Sequence, residues 1–530
     1  MDKESVKKWF SHRDNQLLFL LMTFTVILRL YYFFKLGEQP IWWDEGDYLA
    51  IAKVWALNQP IPDWWAHFTG MRPLLMSIIW AAMFKIGLTE ILLRFITLLL
   101  PSILTVYLVY ALGRDFYNEK IGLIAGLMMS VYWVFTFYGN RLLTDIPATF
   151  FGVLCIYLFW SIYIKQNKSY GLYLSVIVGI IAFSIRFPLA LVLVSIAIYL
   201  LFVKKLALFK DKTIWKSLVV AILGLSPYIF YFISTKFYLF KFYFGASAVS
   251  VHQAIQWNII HMLFSFLNPA PDLSAEQASV YLSFWSFAVI LGIFSLYKLF
   301  LGLDIFFKQK ETKYNSDFFL VLFLIVHLIF YIIIFRAAND RWLLMLMPAI
   351  FILASNGMLF VYELIKPYSK EVAILILAVL LLGGVYQNIS HGDKLIDAKK
   401  DSYAQIKYAG EWLKQNTPLD AKIITASIVQ NQYYSERESY DFYGNNTGIE
   451  YCWDFTGTLN NSEFCQEETE KRFNEKIKEI NPDYFIVSVF EPVFTPKWAY
   501  TYPQRYNITF VQMYSDANGQ PMLGLYKFNK

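Results

Sequence analysis

Between residues 17 and 389 the chain alternates long apolar runs with short loops that carry most of its positive charge. Runs at 17–35, 91–112, 121–138, 146–163, 170–185, 187–203, 217–236, 280–301, 317–335, 341–362 and 371–389 are long enough to cross a bilayer core, which takes roughly 17–25 helical residues. The apolar stretch 72–87, "RPLLMSIIWAAMFKIG", is short, and loop charge decides its placement. If it does not cross and the N-terminus (Lys3, Lys7, Lys8, Arg13) is cytoplasmic, the basic loops near 113, 165, 204–216, 308 and 366 all fall inside. A crossing there would put every one of them outside, against the positive-inside rule. The pattern therefore predicts about 11 transmembrane helices, with 36–88 as an outer-face layer of loop and juxtamembrane helices. The run 17–34 lacks a small-residue cleavage site and reads as a retained anchor.

From about residue 390 the period changes. "DSYAQIKYAGEWLKQNTPLDAKIITASI" reads as amphipathic helix, turn and strand, and "EETEKRFNEKIKEINPDYFIVSVF" repeats that order. "NITFVQMYS" and "MLGLYKFN" read as further strands. The expected organisation is a polytopic α-helical membrane domain over 1–389, followed by a small extracytoplasmic α/β domain over 390–530. Sequons stand at Asn388, Asn445, Asn460 and Asn507.

Composition agrees with this. Of 530 residues 57% are hydrophobic and only 16% charged, below the quarter usual in soluble chains. The net charge of +6 is spread over loops, with no basic patch interleaved with aromatics, so nucleic acid is not an expected partner. Of three cysteines, Cys155 lies in an apolar run, whereas Cys452 and Cys465 could close a small loop in an oxidising exterior.

The predicted topology gathers charge on the outer face. "IWWDEGDYLAIAKVW" puts Asp44, Glu45 and Asp47 there, and "GNRLLTDIPATF" adds Arg141 and Asp145. Arg72, Arg186 of "SIRFP", and Arg336, Asp340 and Arg341 of "FRAANDRW" share that side. Acids opening a helix are ordinarily capping residues, and arginines near a membrane surface ordinarily snorkel. Capping does not account for a second acid, Asp145, at another re-entry point, and ionisable groups at membrane depth usually face a cavity or a partner. Paired carboxylates suit general-base chemistry on a hydroxyl or amine, and guanidinium groups suit a lipid-linked phosphate. An intramembrane charge pattern also fits a secondary transporter, although no repeat halves are visible and the acids lie in loops.

In order, spacing and membrane side, "WWDEGDYLAIAKVWA", "MRPLLMSIIWAAMFKIGLTEILLRF", "NRLLTDIPATFF", "SIRFPLALVLV" and "RAANDRWLLMLMPAIFILAS" resemble the GT-C superfamily of membrane glycosyltransferases. The closer likeness is to the branch of protein O-mannosyltransferases and the aminoarabinose transferase of lipid A, over about residues 17–362. The resemblance implies an integral, multi-pass membrane enzyme, moving a sugar from a polyprenyl (dolichyl or undecaprenyl) phosphate to a protein, lipid or glycan on the extracytoplasmic face, with inversion. It implies Asp44, Glu45 and Asp145 as catalytic acids and Arg72, Arg186, Arg141, Arg336 and Arg341 as donor-phosphate residues. His252 would fall in the donor or acceptor loop, although a lone histidine there is more often structural. "RPL" replaces the commoner "HPPL" or "KP" of the family, keeping the positive charge. A divalent cation (Mg or Mn) between the carboxylates is left open, since no His/Cys ligand set demands one. A glycan polymerase or ligase using a pyrophosphate-linked donor is the other reading from the same chemistry.

Overall fold

A computed structural model describes the chain except residues 1–2, 38, 60–71, 235–283, 309–313, 337–339, 444–447, 454–458, 461, 493, 507 and 530. His252, Asn445 and Asn507 lie outside the described residues. The chain divides into two compact units, Met1–Gly37 with Ile91–Asp397, and Glu38–Glu90 with Ala398–Lys530.

The first unit is helical. Among the described residues nine helices are long and apolar enough to cross a membrane, or ten if the bent pair Glu119–Val131 and Trp133–Asn140 is one span. The remaining expected span, 170–185, is the shorter apolar helix Ser169–Ile185. Close helix approach is written in small residues. Gly357 lies against the backbone of Gly292, and Gly122 against the backbone at Tyr110 and Arg114, so neither position has room for a Cβ. Buried polar side chains find partners across spans. Arg29 Nη1 donates to Thr136 Oγ1 at 2.7 Å, with its guanidinium 5.1 Å from the centre of the Phe135 ring. Asn388 is buried, donating through Nδ2 to Gly384 O (2.9 Å) and accepting at Oδ1 from Trp133 N–H (3.2 Å), so this sequon is engaged in helix packing.

The second unit is built on a five-stranded sheet, β1 (Lys422–Ile424), β2 (Glu438–Tyr440), β3 (Tyr484–Ser488), β4 (Ile508–Ser515) and β5 (Pro521–Phe528), in the order β2-β1-β3-β5-β4. β1 is parallel to β2 and β3, while β5 is antiparallel to β3 and β4. Alternation along the strands feeds two cores. Ile424, Phe485 and Val487 meet Phe473 of the Glu463–Ile480 helix on one side of the sheet. Ile423, Tyr484 and Ile486 meet Ile406, Ala409 and Leu413 of the Ala404–Asn416 helix on the other. All five residues of β3 are buried, as expected of a strand covered on both faces.

Cys452 and Cys465 form a disulfide 13 residues apart in sequence. Closing a loop of that size restrains the unfolded chain by about 3 kcal/mol in the entropy model. Replacing both cysteines by Ser is expected to lower the stability of the second unit by about 2–3 kcal/mol, read from the denaturation midpoint with and without reductant.

Within the second unit, Glu38–Glu90 contributes the helices Trp43–Leu57 and Leu75–Lys85. They pack against each other through Trp80, fully buried and edge-on to Tyr48 at 6.3 Å, and through Ser77 Oγ, which donates to Tyr48 O at 3.0 Å.

Candidate active site

Two charged clusters stand out, one in each unit. In the second unit, extended backbone at Trp42 turns into the Trp43–Leu57 helix, and Glu45 closes its first turn, accepting from Trp42 N–H at 2.8 Å. Glu45 is fully buried and holds the cap. Asp44 and Asp47 are three residues apart and so share a helix face, where one group can reach both. Arg72 is that group. Its Nη2 donates to Asp44 Oδ1 at 2.8 Å and to Asp47 Oδ2 at 2.6 Å, and its Cζ lies 5.1 Å from the centre of the Tyr48 ring.

Exposure separates the two acids. The Asp44 side chain keeps 27% of its surface, while Asp47 keeps none and its Oδ1 lacks a hydrogen-bond partner among the described residues. Burial pushes the Asp47 carboxyl up to about 7, with the Asp44 charge adding to the effect and Arg72 opposing it. Arg72 is itself driven above its usual range. Burial alone would lower it, but Tyr48, Asp47 and Asp44 outweigh that. The sequence pattern places Asp47 among the first-loop acids without assigning it a role. Its signal is its i, i+3 spacing from Asp44, but only burial makes it a titrating neighbour.

Asp47 holds its proton more tightly in the folded state than in the unfolded chain. Its folded pKa lies above the unfolded value of about 3.9, so the native state holds a proton that the unfolded chain releases. Between about pH 4 and pH 7 this group therefore lowers stability as pH rises, by up to about 1.4 kcal/mol per pH unit. The difference in thermal midpoint between wild type and Asp47→Asn is expected to change in wild type's disfavour across that window. An equal difference at all pH values would remove Asp47 as the titrating group.

In the first unit Asp145 opens the Asp145–Tyr157 helix, where the dipole favours an acid. Its side chain is 1% exposed, and Oδ1 accepts from Arg186 Nη1. Arg186 sits in extended backbone between the Ser169–Ile185 helix and the short Phe187–Leu189 turn. Asp145 Oδ2 is buried with no hydrogen-bond partner among the described residues. Arg141, 1% exposed, lies in the segment leading to Asp145. Arg336 ends its span with left-handed backbone (φ 54°) and donates from Nε to Ile333 O at 3.3 Å, while Arg341 lies in the short Asp340–Leu343 turn. Two ion pairs that the sequence pattern does not predict are thus present, Arg72 with Asp44 and Asp47, and Arg186 with Asp145.

Among the described residues no set of three or more His, Cys, Asp or Glu side chains is placed to hold a metal. The two first-loop carboxylates do not fit a bridging cation as they stand. Arg72 Nη2 already donates to Asp44 Oδ1 and Asp47 Oδ2, placing a positive charge between the two carboxylates.

The family model of dolichyl-phosphate-mannose-protein mannosyltransferases matches residues 71–231, a stretch holding Arg72, Arg141, Asp145 and Arg186 but not Asp44. No curated protein matches by sequence. Solved structures match along nearly the whole chain. The oligosaccharyltransferase of Archaeoglobus fulgidus, tethered to an acceptor peptide containing an NVT sequon, has a TM-score of 0.61 at 12% identity, over 97% of this chain and 74% of that one. That enzyme is also known in complex with Zn and sulfate. AglB from the same organism, with an inhibitory peptide and a dolichol-phosphate, has a TM-score of 0.58 at 11% identity, covering 95% and 74%. ArnT from Cupriavidus metallidurans bound to undecaprenyl phosphate gives 0.54 at 12% identity, covering 96% and 97%. The fold is that of the GT-C membrane glycosyltransferases, with a small C-terminal sheet region. The family match is confined to less than a third of the chain, while the shared fold and the long apolar helices are those of an integral membrane protein.

Proposed function

We propose that this protein transfers a sugar from a polyprenyl phosphate to a protein, lipid or glycan acceptor on the extracytoplasmic face, with inversion at the anomeric carbon. The observation that carries this reading is the Arg72 guanidinium joining a partly exposed Asp44 to a buried Asp47 at the head of one helix, in a chain of GT-C fold. That ArnT and AglB have been solved with polyprenyl phosphates supports the donor class. The positive-inside loop pattern supports the extracytoplasmic side and the same placement of the C-terminal domain.

The acceptor oxygen or nitrogen attacks the anomeric carbon, and the bond from that carbon to the phosphate oxygen breaks with its electron pair. Asp44, the accessible acid of its pair, takes the acceptor proton. Asp47 and Arg72 hold its carboxylate in place, and Glu45 caps the helix that carries it. The departing phosphate needs neutralisation more than protonation, unlike the leaving oxygen in glycoside hydrolysis. Guanidinium groups at Arg186 and Arg141 supply that charge, with Arg72, Arg336 and Arg341 as further candidates, and Asp145 orients Arg186.

The likeness to an oligosaccharyltransferase favours one second reading, transfer of a lipid-linked oligosaccharide rather than a single sugar. Purified protein in nanodiscs, offered a panel of polyprenyl-phosphate and polyprenyl-pyrophosphate sugars, decides between them. Release of sugar from a monophosphate donor supports the first reading, and release only from a pyrophosphate-linked oligosaccharide the second. No release from any donor, with acceptors of all three kinds present, would overturn both.

A further inference from the structure

The acid-bearing helix is held on one side by Arg72 and the Leu75–Lys85 helix. Its other contacts come from far along the chain, within the same compact unit. Just before the helix, Ile41 N–H donates to Tyr434 Oη at 2.8 Å. At its first residue, Trp43 stacks on Phe494 with ring centres 5.6 Å apart and planes 27° apart. Further along, the Lys53 ammonium lies 3.7 Å from the centre of the Tyr433 ring. Between Asp44 and Asp47 stands Gly46, pressed so closely on Val429 that a Cβ there would overlap the valine Cγ1. Tyr433, Tyr434 and Val429 all belong to the short Ile428–Ser435 helix that follows β1.

We infer that the Ile428–Ser435 helix of the C-terminal domain is a positioning element, fixing the depth and rotation of the Trp43–Leu57 helix and hence where Asp44 and Asp47 point. The inference deepens the transferase reading and rests on it for its kinetic arm. The geometry is specific because Gly46 lies inside the interval spanned by the two acids. A methyl group at 46 displaces the helix where a carboxylate has to be aimed, and a shift of about 1 Å in a reacting group can cost on the order of 10²-fold in rate. The domain that looks like an appendage in sequence would then set turnover without supplying a reacting group.

The test is a compensation experiment on full-length protein in nanodiscs. Gly46→Ala is expected to lower kcat by about 10²-fold with donor KM within about twofold, because Arg186 and Arg141, the main groups assigned to the donor phosphate, lie outside the displaced helix. Val429→Ala in the same chain removes the opposing Cγ atoms and is expected to restore kcat to within about fivefold of wild type. Hydrogen exchange of peptides covering 41–50 supplies a readout independent of activity, about tenfold faster in Gly46→Ala and restored in the double variant. If Gly46→Ala is not recovered folded, Tyr434→Phe and Phe494→Leu together weaken the same docking from the other side and take its place, with the same expectations for kcat, KM and exchange. Unchanged kcat and exchange overturn the inference, as does a kcat loss that Val429→Ala leaves in place, or a rise in donor KM that accounts for the whole effect. If wild type transfers no sugar at all, the transferase reading fails, while the exchange measurements still decide the docking.

Discussion

Replacing Asp44 by Asn is expected to reduce turnover by about 10³-fold or more while leaving the protein folded. Asparagine matches aspartate in shape and still offers an oxygen to Arg72 Nη2, which in wild type lies 2.8 Å from Asp44 Oδ1. It cannot take a proton. General-base catalysis is worth roughly 10²–10⁴-fold, and the substitution removes that contribution while disturbing little else. With 27% of its surface open, Asp44 is also the acid of its pair that an acceptor can approach, whereas Asp47 is sealed. Saturating donor and acceptor isolate kcat, and the thermal midpoint checks folding. Equal turnover in wild type and variant would return Asp44 to the role of a helix-opening acid, alongside the cap that Glu45 already makes.

Arg186→Ala is the second large effect expected, and it has two separable parts. Deleting a charged hydrogen-bond donor to a phosphate costs about 1.5–3 kcal/mol, which appears as a donor KM raised roughly 10–100-fold. The same deletion strands Asp145, whose side chain is 1% exposed and whose other oxygen lacks a partner among the described residues. Breaking a buried pair in this way destabilises by about 3–5 kcal/mol. Asp145→Asn in the Arg186→Ala background relieves the stranded charge and is expected to recover stability but not donor affinity. Arg186→Lys keeps the charge but loses the planar fork, so an intermediate KM is expected. If the double variant regains donor affinity along with stability, Arg186 is a structural partner of Asp145 and not a phosphate residue.

Much of this was legible in the order of residues. The apolar runs mark the helices because a bilayer core sets a minimum length and excludes charge, so each of the eleven expected spans coincides with a helix or helix pair, although 170–185 is held to 17 residues. In the C-terminal part, the Ala404–Asn416 and Glu463–Ile480 helices and the strands β1, β3, β4 and β5 follow from local period and turn residues. The Ile428–Ser435 helix and β2 did not. "SIVQNQYYSERESY" is polar and short, and its structure comes from burial against distant segments, with Val429 and Tyr433 inside and Ser439 buried in β2.

By itself, then, the sequence determined the number and placement of apolar helices, the change to an α/β pattern, and the first-loop acids and arginines as candidates. These rest on interactions a few residues long, and on a charge rule that sums over loops. Only the tertiary structure decided which charges meet. Arg72 takes both Asp44 and Asp47 from 28 and 25 residues away, and Arg186 takes Asp145 from 41. It also decided that the first-loop helix packs on a helix almost four hundred residues later, as the Ile41 to Tyr434 hydrogen bond records across 393 residues. The physical reason is that helix formation is settled by neighbours in the chain, whereas the state of a carboxylate is settled by burial and by the nearest charge. The burial that lifts Asp47 toward neutral pH exists only in the folded unit, where its carboxylate is sealed from solvent beside Arg72.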